Sequence, residues 1–262
     1  MCRHLAYLGP PRSLAELLTQ PPHGLLAQSW RPRLQRHGTV NADGFGIGWY
    51  LPEPAPCPTR PARYRRAVPI WTDANVPELA RAIHSRAVLA AVRSATPGCG
   101  HEEAAAAPYA LGRWLFSHNG AVGDWRQLPA DAGMPLEPDE LLGVEAHCDS
   151  ALLWLLISRR LSAGEPPADA LAAVVRATAA VRPDARLTLL LTDGRTIAAV
   201  RHGDSLWHRA APGEVLVASE PTDGDDGWRE VPDGSLLLAA PGAARILPLG
   251  DPAGAGREEG TS

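Results

Sequence analysis

The residue with the most distinctive chemistry in this sequence is a cysteine at the second position, Cys2. Initiator methionine is normally removed when the next residue is small, and removal of Met1 would leave a thiol and a free α-amine on one residue. The thiol is a nucleophile, and an α-amine with a pKa of about 7.7–8.0 can serve as its base. The start of the chain therefore predicts an N-terminal nucleophile, whereas an isolated Met-Cys start is by itself more often an accident of coding.

Two further motifs end apolar runs with groups that bind a carboxylate or an oxyanion. Arg93 lies near the end of the run 87–94, and a guanidinium clamps a carboxylate through two parallel hydrogen bonds. Asn119 and Gly120 follow the run 113–118, and an amide side chain beside a glycine amide supplies two donors for an oxyanion hole. Taken alone, each has a simpler interpretation, which is a surface ion pair for the arginine and a turn for the Asn-Gly pair.

A glycine-rich stretch at residues 41–50 and a single aspartate complete the candidate site. The stretch begins with Asn41 and continues through Asp43 and Gly44, so its backbone can approach a ligand closely. It lacks the following helix and the acidic residue of a dinucleotide-binding fingerprint. The aspartate, Asp149, begins a long predicted helix, where a simple interpretation is that it caps the helix.

The elements that must position these residues follow from hydrophobic periodicity and turn signals. Short strands are predicted at residues 3–8, 44–51, 62–71, 87–94, 113–118, 186–192, 196–201, 206–209, 214–218 and 235–239. Helices are predicted at residues 13–19, 77–85, 149–162 and 167–181. The five prolines of residues 52–61 predict a surface loop. Strands followed by two central helices and then by more antiparallel strands predict helices packed on stacked sheets.

Length and composition bound the class of protein. A chain of 262 residues with 45% hydrophobic residues can bury a large core, and we expect one domain over residues 1–249 followed by a disordered tail at 250–262. The net charge of −4 argues against nucleic-acid binding. No apolar run is long enough to cross a membrane. Four scattered cysteines and the absence of a secretory signal predict a cytoplasmic protein.

Taken together and in chain order, these motifs resemble the class II glutamine amidotransferases, a family of N-terminal nucleophile hydrolases. The matching residues are Cys2, the Arg-Ser-Ala-Thr segment at 93–96, His118, Asn119, Gly120 and Asp149. The blocks at residues 1–9, 41–50 and 218–221 are similar to those of the branch that hydrolyses a γ-glutamyl thiohistidine in ergothioneine biosynthesis. The resemblance covers residues 1–249.

The resemblance implies an α+β fold, a four-layer αββα sandwich in which two antiparallel sheets lie between helices. It implies that Cys2 is the nucleophile and, through its α-amine, its own base. Asn119 and Gly120 would hold the oxyanion, Arg93 the glutamyl α-carboxylate and Asp149 the α-ammonium group. The further residues that would line the site are Thr96, Asn41, Asp43 and Gly44. Many family members have Ser or Thr and then Glu after this aspartate, whereas this chain has Ser and then Ala.

The reaction implied is hydrolysis of a γ-glutamyl amide through a glutamyl thioester and then water. It needs no metal or organic cofactor, its substrate is a small molecule, and neither nucleic acid nor membrane takes part. A stand-alone hydrolase requires no partner protein. Because the thiohistidine substrate carries a trimethylammonium group, one or more of the eight tryptophans are expected to form a cation–π pocket for it.

Two other functions remain open at this point. The chain could be a glutaminase subunit or a γ-glutamyl dipeptidase; ammonia transfer would then need another chain, because 262 residues leave no room for a second catalytic domain. It could also be a binding module that keeps the glutamyl pocket without turnover. Retention of Met1 would favour the binding module, since a blocked amine cannot act as a base.

Overall fold

The computed structural model describes residues 2–51 and 60–250. Residues 52–59, which hold Cys57 and most of the predicted proline-rich loop, lie outside the described residues. So do residues 251–262, which make up nearly all of the predicted tail. Within the described part of the chain, no helix is long and apolar enough to cross a membrane.

Thirteen strands and six α-helices are present in the described residues. The strands are β1 (Arg3–Ser13), β2 (Phe45–Trp49), β3 (Ala62–Arg66), β4 (His84–Val92), β5 (Tyr109–Leu111), β6 (Trp114–Ala121), β7 (Arg186–Thr192), β8 (Ile197–Arg201), β9 (Trp207–Ala211), β10 (Glu214–Ala218), β11 (Arg229–Glu230), β12 (Ser235–Ala240) and β13 (Ala243–Pro248). The helices are α1 (Leu25–Trp30), α2 (Val76–Ala82), α3 (Leu128–Asp131), α4 (Pro138–Leu142), α5 (Asp149–Ser162) and α6 (Pro167–Val181). A π-helical turn lies at Ala15–Thr19, and 3-10 turns lie at Ile70–Thr72, Glu103–Ala105 and Trp125–Gln127.

The strands form two antiparallel sheets. The first has seven strands in the order β11-β9-β10-β1-β4-β2-β3, and the second has six in the order β13-β12-β8-β7-β6-β5. Strand β1 lies at the centre of the first sheet, between β4 and β10. Strand β6 pairs with β5 and β7 in the second sheet.

Apolar side chains on both faces of each sheet explain the layered packing. Along β1, Leu5 and Tyr7 face the helices while Ala6 and Leu8 face the second sheet, as the two-residue period of a strand requires. The core between the sheets includes Leu8, Leu89, Leu115, Leu190, Val217 and Leu237. Helices α5 and α6 cover the second sheet through Leu153, Leu156, Leu171 and Val174, and α1 and α2 cover the first through Leu25, Val76 and Ala80. The fold is therefore the predicted four-layer αββα sandwich.

Hydrophobic periodicity and turn residues predicted the long helices and strands better than the short ones. Helices α5 and α6 and strand β7 have the predicted bounds, and β8 completes the predicted hairpin. The predicted helix at 13–19 is a π-helical turn, although the reciprocal hydrogen bonds of its capping box are present: the Ser13 nitrogen donates to Glu16 Oε2 at 2.8 Å, and the Glu16 nitrogen donates to Ser13 Oγ at 3.2 Å.

The predicted strand at 62–71 was too long, since β3 ends at Arg66 and a 3-10 turn follows. Strands β5 and β11 were missed because they have only three and two residues. Strand β13 was missed because it is an edge strand with mostly exposed side chains. Helix α1 was also missed; it has only six residues and directly follows Gly24, which lies in a segment that reads as a turn.

Tyr50 connects the two sheets at the end of β2. Its hydroxyl lies 2.7 Å from the carbonyl oxygen of Arg113, in the turn between β5 and β6, and 2.9 Å from that of Thr192, the last residue of β7. The side chain is buried. We expect Tyr50→Phe to lower the free energy of unfolding by about 1–3 kcal/mol, because the substitution removes the hydroxyl donor from the carbonyl of Thr192, a buried residue. Urea unfolding checks this value, and a variant as stable as the parent would contradict the bridging role.

Candidate active site

Cys2 lies at the point where the two sheets meet. It directly precedes β1, whose first residue, Arg3, pairs with Val92 at the end of β4. The side chain of Cys2 is partly exposed. Its backbone nitrogen donates to Asn119 Oδ1 at 3.2 Å, and Asn119 belongs to β6 in the other sheet. The predicted nucleophile and the predicted oxyanion donor are therefore neighbours, although 117 positions separate them in the sequence.

Asn119 is fully buried, and its amide is held from both sides. While Oδ1 accepts from Cys2, Nδ2 donates to Ser219 Oγ at 3.5 Å. Ser219 in turn is fixed to β1, because its Oγ accepts from the His4 nitrogen and its own nitrogen donates to the His4 carbonyl, both at 3.0 Å. This chain of contacts determines which way the amide of Asn119 faces.

The interpretation of Asn119 and Gly120 as a turn is wrong. Both residues lie inside β6, where they pair with Thr188 and Leu187 of β7. Gly120 is needed there because an added Cβ would lie only 1.8 Å from the carbonyl oxygen of Arg186. The close approach of β7 therefore excludes any side chain at this position.

Arg93 follows β4 and anchors the glycine-rich loop. Its nitrogen donates to the Gly44 carbonyl at 2.7 Å, and its carbonyl accepts from the Asp43 nitrogen at 2.9 Å. Arg93 is 6% exposed, and its guanidinium donates to the carbonyls of Asp43 at 3.4 Å and Gly100 at 2.8 Å. The interpretation of Arg93 as part of a surface ion pair is therefore wrong, because its guanidinium is buried and donates to neutral carbonyls. Asp43 Oδ2 also accepts from the Ala95 nitrogen at 2.8 Å, which ties the loop to the segment after β4.

Asp149 is the first residue of α5 and is 3% exposed. Its Oδ2 accepts from the hydroxyl of Thr96 and from the nitrogen of Val122, both at 3.1 Å. Its Oδ1 accepts from the Ser150 nitrogen at 2.8 Å and from the Cys99 thiol at 3.7 Å. The capping position belongs to the preceding residue, so the interpretation of Asp149 as a helix cap is wrong.

Asn41 is connected to the nucleophile only indirectly. Its Nδ2 donates to the Gln28 carbonyl at 3.1 Å and to Gln35 Oε1 at 3.0 Å. Gln35 Oε1 also accepts from Nε of Arg3 at 3.2 Å, next to Cys2. The amide oxygen of Asn41 is buried and has no hydrogen-bond partner in the described part of the chain.

A buried glutamate, Glu220, was not singled out from the sequence. It is fully buried after β10 and accepts from the backbone nitrogens of Arg33 at 3.0 Å and Leu34 at 2.8 Å. It therefore holds the segment before the glycine-rich loop against β10. The sequence did offer one signal for Glu220, because this residue lies in the block at 218–221 that carries part of the family resemblance.

Two buried histidines flank the site, and their burial favours the neutral form. Burial lowers the pKa of His118 and lowers the pKa of His4 well below the ordinary value. His118 Nε2 lies 2.8 Å from the Arg186 carbonyl, so this nitrogen carries the proton. Its Nδ1 then accepts from the hydroxyl of Ser150 at 3.0 Å. The histidine therefore supports the start of α5, which carries Asp149.

A cleft of about 470 Å³ lies beside Asp149. Thr96 and Val122, which contact the Asp149 carboxylate, belong to its lining, and Trp125 forms part of the wall. The Arg126 guanidinium lies 4.5 Å from the centre of the Trp125 ring. Among residues 2–51 and 60–250, no group of three His, Cys, Asp or Glu side chains is placed to hold a metal ion.

Comparisons with known proteins show the family to which the chain belongs. Residues 23–214 match the family of class-II glutamine amidotransferases. The chain is 42% identical to the γ-glutamyl-hercynylcysteine sulfoxide hydrolase of Mycolicibacterium smegmatis, over 95% of this chain and 100% of that protein. It is 39% identical to the protein of the same name from Mycobacterium tuberculosis, over 90% of this chain and 92% of the relative.

Solved structures agree on the fold. A class-II glutamine aminotransferase domain protein from Silicibacter pomeroyi superposes with a TM-score of 0.67 and 24% identity, over 95% of this chain and 100% of that one. The glutamine phosphoribosylpyrophosphate amidotransferase of B. subtilis superposes with a TM-score of 0.64 and 15% identity, over 95% of this chain and 49% of that one. Because the family model matches residues 23–214 and a relative is 42% identical over 95% of the chain, the chain belongs to the class II glutamine amidotransferase family.

Proposed function

We propose that this protein hydrolyses the γ-glutamyl amide of γ-glutamyl-hercynylcysteine sulfoxide and releases glutamate, with Cys2 as the nucleophile. The observation that carries the proposal is the hydrogen bond from the Cys2 nitrogen to the buried Asn119 amide, which puts a thiol beside an oxyanion donor. The substrate is taken from the named relatives, one of which this chain matches at 42% identity over 95% of its length.

The first half of the reaction forms a thioester on Cys2. Once Met1 is removed, the α-amine of Cys2 takes the thiol proton, and the thiolate attacks the γ-carbonyl carbon. Asn119 Nδ2 and the Gly120 N–H stabilise the oxyanion that forms. The α-ammonium then protonates the leaving amine, and the γ-glutamyl group remains on the sulfur. Asn119 suits this role because its Oδ1 accepts from Cys2, which turns Nδ2 to the other side. The contact of Nδ2 with Ser219 Oγ is long at 3.5 Å, so Nδ2 can donate to the oxyanion instead.

The second half of the reaction returns the free enzyme. The α-amine takes a proton from a water molecule, which attacks the thioester carbonyl through the same oxyanion site. Collapse of this intermediate releases glutamate and the Cys2 thiol. No other side chain acts as a base in this scheme, which agrees with the burial and lowered pKa of His4 and His118.

Opposite charges recognise the glutamyl headgroup. Arg93 binds the α-carboxylate through its guanidinium, which donates to the neutral carbonyls of Asp43 and Gly100 and is a bidentate partner for a carboxylate. Asp149 binds the α-ammonium group through a carboxylate held by neutral donors. Thr96 positions Asp149, whereas Asp43 and Gly44 position Arg93. Asn41 supports the loop through its contact with Gln35.

We also propose that residues 1–249 form one domain that acts in the cytoplasm without a partner protein, nucleic acid or membrane. Cys2, Cys99 and Cys148 carry free thiols, as proteins of a reducing compartment do. The net charge of −4 opposes binding to polyanions.

The direct test is substrate preference of the purified full chain. We expect glutamate release with a higher kcat/KM for γ-glutamyl-hercynylcysteine sulfoxide than for glutamine or a γ-glutamyl dipeptide. Cys2→Ala should abolish turnover, while Cys57→Ala, at a position that the mechanism does not use, is the matched cysteine control. A preference for glutamine that rises when a partner chain is added would instead identify a glutaminase subunit, and a preference for the dipeptide would identify a dipeptidase.

Asn119→Ala should lower kcat by about 10²–10³-fold and change KM little, because the lost donor acts on charge that develops only in the transition state. Steady-state kinetics with the sulfoxide substrate measures both constants. Asn75→Ala is the matched control, since Asn75 is exposed at the start of α2 and makes no side-chain capping bond. A kcat within threefold of the parent value would remove Asn119 from the oxyanion site.

Asp149→Asn should raise KM by about 10–100-fold, the loss expected when a hydrogen bond to a charged group is removed. Glutamine and the sulfoxide substrate should be affected alike, because both carry the same α-ammonium group. Asp139→Asn on exposed α4 is the control. An unchanged KM for both substrates would show that another group binds the ammonium.

Trp125 is the tryptophan in the wall of the cleft beside Asp149 and the best candidate for contact with the trimethylammonium group. A cation–π contact of about 0.5–2 kcal/mol predicts that Trp125→Leu lowers the preference for the sulfoxide over glutamine by about 2–30-fold. Trp114→Leu, five residues before Asn119 on β6, serves as the control. Unchanged selectivity in Trp125→Leu would exclude Trp125 as the contact.

A further inference from the structure

The cleft beside Asp149 carries two charged side chains that the proposed reaction does not use. Asp124 and Arg126 belong to its lining, one on each side of Trp125 in the sequence. Both residues are exposed. Within residues 2–51 and 60–250, neither side chain forms an ion pair, so the two opposite charges do not neutralise each other. A cleft with two separate, opposite charges suits a ligand that is itself a zwitterion.

Asp124 has a backbone conformation that helix capping does not explain. Among the described residues other than glycine, it alone has a positive φ, at 47°. Aspartate enters this left-handed region more readily than most residues, but at a cost in free energy. Asp124 precedes the 3-10 turn Trp125–Gln127, yet its side chain makes no capping hydrogen bond. Its backbone is held instead by Arg182, which donates to the carbonyls of Gly123 at 3.0 Å and Asp124 at 3.3 Å. The carboxylate is therefore left for a ligand.

Arg126 is held in the cleft by neutral groups. Its guanidinium lies 4.5 Å from the centre of the Trp125 ring, and one of its nitrogens donates to the Gly98 carbonyl at 3.1 Å. A guanidinium has five N–H donors in a planar fork, so these contacts leave donors for an anion. The fork matches a carboxylate, which it binds through two parallel hydrogen bonds.

The leaving part of a substrate bound at Asn119 can reach these two charges. Asp124 follows Gly120 by four residues, and four residues of chain span at most about 14 Å. The Val122 nitrogen donates to Asp149 Oδ2 at 3.1 Å, which keeps the intervening segment beside the glutamyl site. The volume of the cleft, about 470 Å³, is in the range of small-molecule sites.

We propose that Asp124 and Arg126 determine specificity for the betaine end of the substrate, with Asp124 facing the trimethylammonium group and Arg126 binding the carboxylate beside it. This inference rests on the proposed function, because the betaine belongs to the sulfoxide substrate and is absent from glutamine. The ring of Trp125 has two faces, and the guanidinium of Arg126 covers one of them. The trimethylammonium group then meets the other face of the ring and the Asp124 carboxylate.

Calorimetry with the full chain carrying Cys2→Ala tests the proposal, since this variant binds substrate without turnover. Three ligands are titrated, namely the sulfoxide substrate, glutamine, which lacks the betaine, and hercynine, which is the betaine half alone. Arg126→Gln and Asp124→Asn are added singly, and asparagine keeps the left-handed conformation accessible while it removes the charge. Arg81→Gln on exposed α2 and Asp139→Asn on exposed α4 are the matched controls.

We expect Arg126→Gln to weaken binding of the sulfoxide substrate and of hercynine by about tenfold, the loss typical of a hydrogen bond to a charged group. Asp124→Asn should weaken both by about threefold, since an exposed ion pair contributes less. Glutamine affinity should fall by less than either of these factors, and the two control variants should bind all three ligands as the parent does. Equal losses for glutamine and the sulfoxide substrate, or no loss at all, overturn the proposal.

Turnover by the chain that retains Cys2 separates this inference from the proposed function. If both variants weaken hercynine binding but the active chain releases no glutamate from the sulfoxide substrate, the proposed hydrolysis fails and the betaine site stands. If the active chain hydrolyses the sulfoxide substrate and both variants bind it as tightly as the parent, the hydrolysis stands and the betaine site is overturned. Failure of the parent to bind either ligand overturns both.

Discussion

A hydrogen bond from the Cys2 nitrogen to Asn119 Oδ1 crosses from one sheet of the sandwich to the other. The two sheets are held together by an apolar core that includes Ala6 and Leu8 of β1 and Leu115 of β6. Asn119 is fully buried, and an unpaired buried amide costs about 1–3 kcal/mol. This hydrogen bond therefore orients the Asn119 amide, the proposed oxyanion donor, and holds Cys2, the proposed nucleophile, beside it. Ser219 completes the arrangement by binding both β1 and Asn119.

Buried charges are tolerated around this contact because backbone groups solvate them. Arg93 donates to carbonyls, Asp149 accepts from amide and hydroxyl donors, and Glu220 accepts from backbone nitrogens. Burying an ion without such partners would cost several kcal/mol. In the proposed mechanism, Arg93 and Asp149, each held by neutral groups, bind the opposite charges of a zwitterionic ligand. The polar interior of this sandwich thus suits the recognition of an amino-acid headgroup.

Hydrophobic periodicity and turn signals were enough to predict α5, α6 and the β7–β8 hairpin. Apolar residues repeat there at the helical period in the helices and are bounded by an Asp-Gly turn in the hairpin. The site residues came from motifs at strand ends and from family resemblance. The structure places Cys2 beside Asn119 and Thr96 beside Asp149, and their roles stay predictions. Local patterns could not separate a turn from a strand at Asn119, because the close approach of Arg186 is a tertiary contact. Glu220 was missed for a similar reason, since its partners at Arg33 and Leu34 lie about 187 positions away.

The central claim is that Cys2 becomes an N-terminal nucleophile beside a glutamyl pocket. Intact mass of the purified protein, with and without the glutamine-derived electrophile diazo-oxo-norleucine, tests it most directly. The account predicts a chain that has lost Met1 and carries one adduct on Cys2, with no adduct in Cys2→Ala. A chain that retains Met1 and takes up no adduct would contradict the account and favour a glutamyl-binding module without turnover.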